Sequence, residues 1–187
     1  MKQTILVLAL GASFALPFAA HAQSGYIGAN VGDADQKASA DGFGSDSHTR
    51  TGYKLYGGVD FTKNVGLEAG YVDFGNSTYS EGGASLHLKP KAAYVAVTGT
   101  LPLSEKFSLF GKLGASFNHV KLDASAGGFS DSTSKNRTTA LVGVGAAYNF
   151  NKNLAAVAEY EDYGKVADED GDNLKINMLS VGLRYHF

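Results

Sequence analysis

The 187-residue sequence contains no cysteine, no tryptophan and only 3 prolines. Without cysteine, an exported form of the chain cannot use disulfides and must be held together by its sheet. A formal net charge of −2 gives no indication of nucleic acid as a partner. Beyond the N-terminal segment, no apolar run approaches the roughly 20 residues that a membrane-spanning helix needs. Zinc-ligand spacings and phosphate-binding loops are also missing from the sequence.

The N-terminal segment has the features of a cleavable export signal. Lys2 provides the positive start, an apolar stretch follows, and Ala20-His21-Ala22 forms a small-x-small cleavage site. A transmembrane helix is the alternative interpretation, but the charged start and the cleavage site favour a signal. We therefore predict a signal peptide at residues 1–22 and a single mature domain at residues 23–187.

The mature chain divides into eight segments in which apolar and polar residues alternate with the period of a β-strand. Each segment has about the 9–11 residues that a tilted membrane strand requires, or slightly more. The closing segment shows the pattern best, because every second residue from Leu179 to Phe187 is apolar. The predicted strands are residues 25–33, 51–61, 65–74, 92–101, 107–122, 137–150, 154–163 and 175–187.

The connections between these strands alternate between short and long. Short turns are predicted at residues 62–64, 102–106 and 151–153, and long polar loops at residues 34–50, 75–91, 123–136 and 164–174. Short periplasmic turns and long external loops are typical of outer-membrane barrels. The sequence therefore predicts an all-β fold, an eight-stranded antiparallel up-and-down transmembrane β-barrel with both ends in the periplasm.

The two faces of the strands differ in a way that assigns them to lipid and lumen. Charged residues share one face with many glycines, and the lumen of an eight-stranded barrel has little room beside long side chains. On a solvated outer face the same glycines would only weaken the strands. We therefore expect the apolar face to point outward, and a soluble lipocalin-like barrel with an apolar lumen is the alternative.

Aromatic residues are predicted to form two belts at the lipid interfaces. Ordinary enrichment of aromatics in strands is the alternative explanation. The turn-end belt comprises Phe61, Phe107, Tyr148, Phe150, Tyr185 and Phe187, and the loop-end belt comprises Tyr53, Tyr71, Phe117 and Tyr160.

Five short segments, in order along the chain, resemble the OmpA transmembrane-domain family and related small eight-stranded barrels. The resemblance covers the whole mature chain and is patchy in the loops. The segments read YIGANVG at residues 26–32, LEAGY at 67–71, GKLG at 111–114, AEY at 158–160 and MLSVGLRYHF at 178–187.

This resemblance implies a terminal aromatic signal, read by the outer-membrane assembly machinery, with Phe187 and Tyr185 in the matching positions. It also implies a lumen closed by ion pairs, in which Glu68, Lys112 and Glu159 match the charged positions. The family's cationic partner near the last loop has no clear match. Lys54 and Arg184 are candidates to replace it. No peptidoglycan-binding domain follows the barrel, so anchoring to the cell wall is not expected.

Charges in the lumen need partners, because an unpaired buried ion is costly. We therefore predict that Glu68 and Glu159 contact Lys112, with Lys54 or Arg184 nearby. Such a cluster could gate a narrow ion path or could serve as a polar packing core, and we favour the packing core.

Other chemistry has little support in the sequence. The acidic loop at residues 168–172 carries the carboxylates that calcium prefers, but it lacks the spacing of a calcium loop, so no metal site or cofactor is predicted. His48 lies beside Ser47 in a polar loop, and His119 near the outer rim; neither has the activated-nucleophile arrangement of a catalytic site. We therefore predict that the protein is not an enzyme.

The predicted function is that of an integral outer-membrane barrel with a structural or surface-interaction role and a charge-paired lumen. A low-conductance pore and a soluble periplasmic lipocalin-like binder are the alternatives. The expected partners are outer-membrane lipid and lipopolysaccharide, the assembly machinery, and an unidentified surface ligand at the loops. The predicted location is the outer membrane of a Gram-negative cell, reached after export and signal cleavage.

Overall fold

The structure is a computed structural model. It describes the backbone of residues 24–40, 44–81, 84–126, 129–169 and 172–187, and the side chains of residues 24–37, 49–76, 88–121, 133–166 and 175–187. The predicted signal peptide lies outside the described residues. Among the described residues there is no helix whose length and hydropathy would allow it to cross a membrane.

Nine β-strands make up the described chain. In order they are β1 Ser24–Ala40, β2 Gly44–Asp60, β3 Val65–Asp73, β4 Ser77–Glu81, β5 Ala84–Pro102, β6 Phe107–Ala126, β7 Phe129–Asn149, β8 Leu154–Glu169 and β9 Asp172–His186.

The strands form one closed antiparallel sheet. The hydrogen-bonded order is β3-β2-β1-β9-β8-β7-β6-β5-β4, and a further pairing of β3 with β5 closes the barrel. β3 and β4 both pair with β5, one after the other along its length, and so share one position in the wall. The predicted eight-stranded up-and-down barrel is therefore confirmed, with its third strand broken into two pieces.

The alternation of the sequence places apolar side chains outside and charged side chains inside. Leu55 on β2 is 65% exposed, whereas its neighbour Lys54 is 1% exposed. All ten aromatic side chains of the two predicted belts are exposed on the outer surface. This arrangement matches a barrel surrounded by lipid, because lipid replaces water as the surroundings of the apolar face.

The strands extend well beyond the predicted ones at the loop end. The long loops were predicted to begin at residues 34, 75, 123 and 164, but β1 continues to Ala40, β6 to Ala126 and β8 to Glu169. These predictions were wrong because small and polar residues prevail in the extensions, so that the period-two signal weakens there. The backbone ladder nevertheless continues.

The three short turns lie within a residue of their predicted positions, at residues 61–64, 103–106 and 150–153. Both ends of the described chain lie at the same end of the barrel as these turns, because β1 begins there and β9 finishes there. We call this end the turn end and the opposite end the loop end.

Two matching elbows interrupt the wall toward the loop end. The backbone N–H of Gly75 donates to Asp73 Oδ1 at 3.0 Å, and that of Gly164 donates to Asp162 Oδ1 at 2.8 Å. Both glycines have a left-handed backbone, with φ of 78° and 70° respectively, which glycine adopts without strain. Each elbow thus bends its strand at a fixed position.

At each elbow, two strands that are neighbours in the wall stop pairing with each other. Among the described residues, the last β2–β3 pair is Tyr53 with Asp73, and the last β7–β8 pair is Val142 with Asp162. Beyond these pairs the wall continues as two separate four-strand groups, β8-β9-β1-β2 and β4-β5-β6-β7.

Candidate functional site

Six charged side chains from five strands meet in the lumen. Three are cationic and three are carboxylates, so their formal charges cancel. We call this group the ion cluster; it consists of Lys54 on β2, Glu68 on β3, Lys112 on β6, Glu159 and Glu161 on β8, and Arg184 on β9.

Lys112 is at the centre of the ion cluster. Its Nζ lies 2.6 Å from Glu68 Oε1, 2.8 Å from Glu159 Oε2 and 3.2 Å from Glu161 Oε1. All four side chains are fully buried. Lys112 therefore joins β6 to β3 on one side and to β8 on the other, across the lumen rather than along the sheet.

Lys54 is the second cation of the ion cluster. Its Nζ donates to Glu159 Oε2 and lies 2.8 Å from Glu161 Oε2. Glu159 thus accepts hydrogen bonds from both lysines. Charge-assisted hydrogen bonds of this kind are about twice as strong as neutral ones and are directional.

Tyrosine hydroxyls supply further hydrogen bonds to the carboxylates. Tyr94 Oη donates to Glu68 Oε1 at 2.7 Å, and Tyr26 Oη donates to Glu68 Oε2 at 3.0 Å. Tyr163 Oη donates to Glu161 Oε2 at 3.1 Å. Glu68 therefore has a donor on each carboxylate oxygen, as a buried charge requires.

Arg184 closes the ion cluster toward the turn end. Its Nη2 lies 3.6 Å from Glu68 Oε2 and 3.8 Å from Glu159 Oε1, which are longer distances than those of the lysines. Its guanidinium carbon lies 4.5 Å from the ring centre of Tyr26 and 4.9 Å from that of Phe110. Arg184 is thus held mainly by charge and by the faces of aromatic rings.

Glycines on the inward faces make room for this group. A Cβ on Gly143 would lie 2.8 Å from Lys112 Cγ, and one on Gly28 would overlap the Tyr56 ring. Tyr56 is the cross-strand partner of Gly28, and the same pairing recurs for Gly58 with Tyr26, Gly70 with Tyr94 and Gly145 with Phe110. Large rings fit inside the narrow barrel because each lies over a glycine.

Toward the loop end, an apolar layer packs on top of the ion cluster. The ring of Phe74 meets that of Tyr163 at a centroid distance of 4.8 Å and an interplanar angle of 77°. The layer consists of Val72, Phe74, Val120, Leu141, Tyr163, Val166, Ile176 and Met178, all of which are almost completely buried. The lumen at this level is therefore largely apolar, with the buried polar side chains of Gln36 and Asn118 beside the layer, whereas the half nearer the turn end is polar as predicted.

Tyr163 belongs to both layers. Its ring packs against Phe74 in the apolar layer, while its hydroxyl donates to Glu161 in the ion cluster. The two layers are therefore stacked without a gap at this point of the lumen.

All five residues that the sequence predicted for the interior charge network lie together in the ion cluster. Sequence reasoning left out Glu161, although it lies two residues after Glu159 and so faces the same way. It also left out Tyr26, Tyr94 and Tyr163 as hydrogen-bond donors. Tyr26 and Tyr94 are recognisable as lumen-facing donors because each pairs with a glycine on the neighbouring strand. That pairing is known only once the register of the strands is known.

Tyr185 and Phe187 lie on the outer surface at the turn end, away from the ion cluster. Their ring centroids are 6.1 Å apart, and the Phe187 backbone N–H donates to Gly25 O at 3.0 Å. Their role as an assembly signal stays a prediction.

The other candidate positions are placed as follows. His119 faces outward on β6, with Nδ1 2.6 Å from Asn136 Oδ1. The side chain of His48 and those of the acidic loop at residues 168–172 lie outside the described side chains. Within the described part of the chain, no group of three or more histidine or acidic residues has the geometry of a metal site.

Comparison with known proteins agrees with this architecture. The family model described as "Outer membrane protein beta-barrel domain" matches residues 5–187. Outer membrane protein A of Yersinia pseudotuberculosis serotype I (strain IP32953) is 25% identical over 200 residues, which cover 100% of this chain and 56% of that protein. The chain thus spans just over half the length of this relative.

Solved structures share the fold. Ail, the attachment invasion locus protein of Yersinia pestis, in complex with the heparin analogue sucrose octasulfate, has a TM-score of 0.61 and 23% identity, with 88% of this chain and 100% of that chain covered. Neisserial surface protein A has a TM-score of 0.61 and 18% identity, with 87% and 97% covered.

Proposed function

The chain belongs to the outer-membrane protein β-barrel domain family, and from that premise we propose that it is a sealed, non-conducting barrel that presents its loop end at the cell surface. Its role in the membrane is structural, and its contacts with other molecules are made outside the lumen. Export through a cleaved signal at residues 1–22 is part of the proposal.

The observation that carries this proposal is that two stacked layers, the ion cluster and the apolar layer, fill the lumen. An ion that crossed the barrel would have to separate the fully buried Lys112 from Glu68 and Glu159. It would then have to displace the edge-on rings of Phe74 and Tyr163 in the apolar layer. Both steps oppose conduction, because the first removes charge-assisted hydrogen bonds and the second places an ion among apolar side chains.

Ion flux across lipid vesicles tests the proposal. The unmodified barrel should give no flux above that of empty vesicles. A variant that combines Phe74→Ala and Tyr163→Ala with Lys112→Ala removes parts of both layers and should conduct, which shows that the assay would detect an open lumen. Flux through the unmodified barrel would favour the low-conductance pore instead.

The soluble lipocalin-like alternative has little support. Such a barrel turns its apolar side chains inward and its polar ones toward water. Here Leu113 and Leu55 are both 65% exposed on the outer face. Cell fractionation tests the soluble alternative. A protein that stays in the washed outer-membrane fraction, and whose gel mobility shifts on boiling in detergent, would argue against it. Recovery as soluble periplasmic protein would argue for it.

The proposal includes no enzymatic activity. His119 pairs with the amide of Asn136 rather than with a hydroxyl nucleophile, which is not the pairing that activates a serine. Comparison of lipid acyl patterns between cells with and without the gene checks this, since a difference would indicate lipid-modifying activity.

A second proposed function is contact with anionic saccharides or lipopolysaccharide at the outer surface. Two successive cross-strand pairs on the outer face of β5 and β6 are basic, Lys91 with His119 and Lys89 with Lys121. They lie immediately beyond Phe117 of the loop-end aromatic belt, at the level of lipid headgroups. The crystal structure of Ail is of a complex between that protein and a heparin analogue, which supports an anionic surface ligand here.

Binding of the folded protein to immobilised lipopolysaccharide and to heparin tests this second function. Lys89→Ser combined with Lys121→Ser should weaken binding and reduce its salt dependence, because two cations are lost. Lys63→Ser combined with Lys152→Ser, at the opposite end, should leave binding unchanged. Equal effects of both pairs would contradict a site on β5 and β6.

A further inference from the structure

A shallow pocket of about 230 Å³ lies on the outer surface of the barrel between β6 and β7. Two directly paired stretches bound it, residues 117–119 of β6 and residues 136–138 of β7. The side chain of Asn118 turns into the lumen, where it is 3% exposed, so this residue contributes only backbone to the floor. We call this space the β6–β7 pocket; the outward side chains that form its walls are Phe117, His119, Asn136 and Thr138.

An aromatic ring forms one wall of the β6–β7 pocket. The ring belongs to Phe117, which is 51% exposed. Because Phe117 is part of the loop-end aromatic belt, the pocket lies at the level of the lipid headgroups. One face of a sugar ring carries C–H groups that pack on an aromatic ring, while its edge carries hydroxyls. An aromatic wall beside polar groups therefore suits a sugar better than it suits an acyl chain.

Polar groups line the rest of the β6–β7 pocket. His119 Nδ1 lies 2.6 Å from Asn136 Oδ1, and this contact restrains both side chains. Because an amide oxygen only accepts, Nδ1 is the donor, and a neutral His119 ring keeps Nε2 as an acceptor. The amide of Asn136 keeps its two N–H donors, and Thr138 adds a hydroxyl. The pocket therefore offers both donors and acceptors, as neighbouring sugar hydroxyls require.

Cations lie beside the β6–β7 pocket on its β5 side. Lys91 is the cross-strand partner of His119, and Lys121 follows His119 by two residues on the same outer face. Lys91 Nζ lies 3.0 Å from Asp73 Oδ2, which balances part of its charge. The residues that line the pocket include no carboxylate. A sugar that carries phosphate therefore suits this surface better than a neutral sugar does.

We propose that the β6–β7 pocket binds one phosphorylated sugar ring of the lipopolysaccharide headgroup. The sugar packs on Phe117, its hydroxyls bond to His119 and Asn136, and its phosphate lies toward Lys121. The inference rests on the second proposed function and names the part of the ligand that this surface recognises. A volume of about 230 Å³ suits a single ring, since pockets for drug-sized ligands have roughly 300–1,000 Å³.

The test compares two anionic headgroups on the full mature barrel in lipid nanodiscs. Lipopolysaccharide offers phosphate and sugar, whereas phosphatidylglycerol offers phosphate without a sugar ring. The NMR signals of the Asn136 side-chain amide should shift in nanodiscs with lipopolysaccharide, relative to phosphatidylcholine nanodiscs, and should stay in place with phosphatidylglycerol. An equal shift with both lipids, a shift with neither, or a shift that only added heparin produces would overturn the proposal.

Two pocket variants separate recognition of the sugar from attraction by charge. Phe117→Leu removes the aromatic face, and Asn136→Ala removes the amide. Each should raise the Kd for lipopolysaccharide roughly threefold to tenfold, as loss of a single contact of this kind does. The salt dependence of binding should not change, because no charge is lost. Phe150→Leu, in the turn-end belt, is the matched control and should leave the Kd unchanged.

The lysine variant of the second proposed function distinguishes failure of the pocket from failure of that function. If Lys89→Ser combined with Lys121→Ser weakens binding while both pocket variants bind like the unmodified protein, the surface binds by charge alone and the pocket proposal is wrong. If neither the lysine variant nor the pocket variants weaken binding, the second proposed function is wrong as well.

Discussion

The ring of Phe74 and the ring of Tyr163 meet edge-on in the lumen, with centroids 4.8 Å apart, although the two residues are on opposite walls of the barrel. Each follows an aspartate and precedes a left-handed glycine, so each is directed inward by the same kind of elbow. The contact lies between the ion cluster and the loop end of the barrel.

Loss of this contact should destabilise the barrel without opening it. Phe74→Ala should lower the free energy of unfolding in lipid vesicles by about 3–5 kcal/mol, since it removes a fully buried ring. The double variant with Tyr163→Ala should cost less than the sum of the two single changes, because aromatic pairs contribute about 0.5–1.5 kcal/mol of coupling. Urea titrations of the three variants measure this. Strict additivity would contradict a direct contact.

The ion cluster should respond strongly to removal of its central cation. Lys112→Ala leaves three carboxylates with two cations and should lower the free energy of unfolding by about 3–5 kcal/mol. Lys121→Ala, on the outer surface of the same strand, is the control and should have little effect. Similar effects of the two substitutions would mean that the ion cluster is hydrated.

The hydrogen bonds from neutral tyrosine hydroxyls to Glu68 should contribute less to stability than the central cation Lys112 does. Tyr94→Phe removes the hydroxyl that donates to Glu68 Oε1 at 2.7 Å and should cost about 1.5–3 kcal/mol, because the acceptor is charged. Tyr53→Phe, in the exposed loop-end belt, is the matched control with little expected change. Equal unfolding midpoints for the two variants would contradict the role of Tyr94.

The glycines of the lumen should tolerate even a methyl group poorly. Gly28→Ala would place a Cβ inside the contact distance of the Tyr56 ring and should cost about 1–3 kcal/mol through overpacking. Gly99→Ala is the control, because nothing lies within 4 Å of its added Cβ on the outer face. Thermal unfolding in detergent distinguishes the two, and a stable Gly28→Ala barrel would mean that the ring can move away.

The assembly signal is tested by a change at the turn end. Phe187→Ala should reduce the yield of heat-modifiable barrel in cells if the terminal aromatic is recognised during assembly. Phe150→Ala, in the same belt on another strand, removes a comparable exposed ring and serves as the control. The same yield for both variants would indicate that Phe187 acts only as one member of the aromatic belt.

The sequence predicted most of the barrel because lipid imposes a strict period of two on each strand. It could therefore predict that Glu68, Lys112 and Glu159 share the lumen. It could not predict the strand extensions, since small and polar residues prevail there and the period-two signal weakens. It also missed the apolar layer, because Phe74 and Tyr163 were treated as strand ends rather than as inward-facing residues.

A sequence signal for that layer does exist. Residues 69–75 read AGYVDFG and residues 158–164 read AEYEDYG, so each elbow is preceded by the same spacing of alanine, tyrosine and aspartate. In both copies the tyrosine lies in the loop-end belt and the aromatic three residues later faces the lumen. The repeat indicates equivalent positions on two strands, but their meeting across the lumen depends on strand order and register.

The central claim, that the lumen is sealed, is tested most directly by the accessibility of two serines on one strand. The chain has no cysteine, so each single-cysteine variant reports on one position. Ser108 lines the cavity that opens at the turn end, whereas Ser116 is 0% exposed beside Asn118 farther up β6. A charged thiol reagent should label Ser108→Cys in the folded barrel and leave Ser116→Cys unlabelled until the protein is unfolded. Rapid labelling of Ser116→Cys in the folded barrel would contradict the seal and show that water and ions enter the lumen.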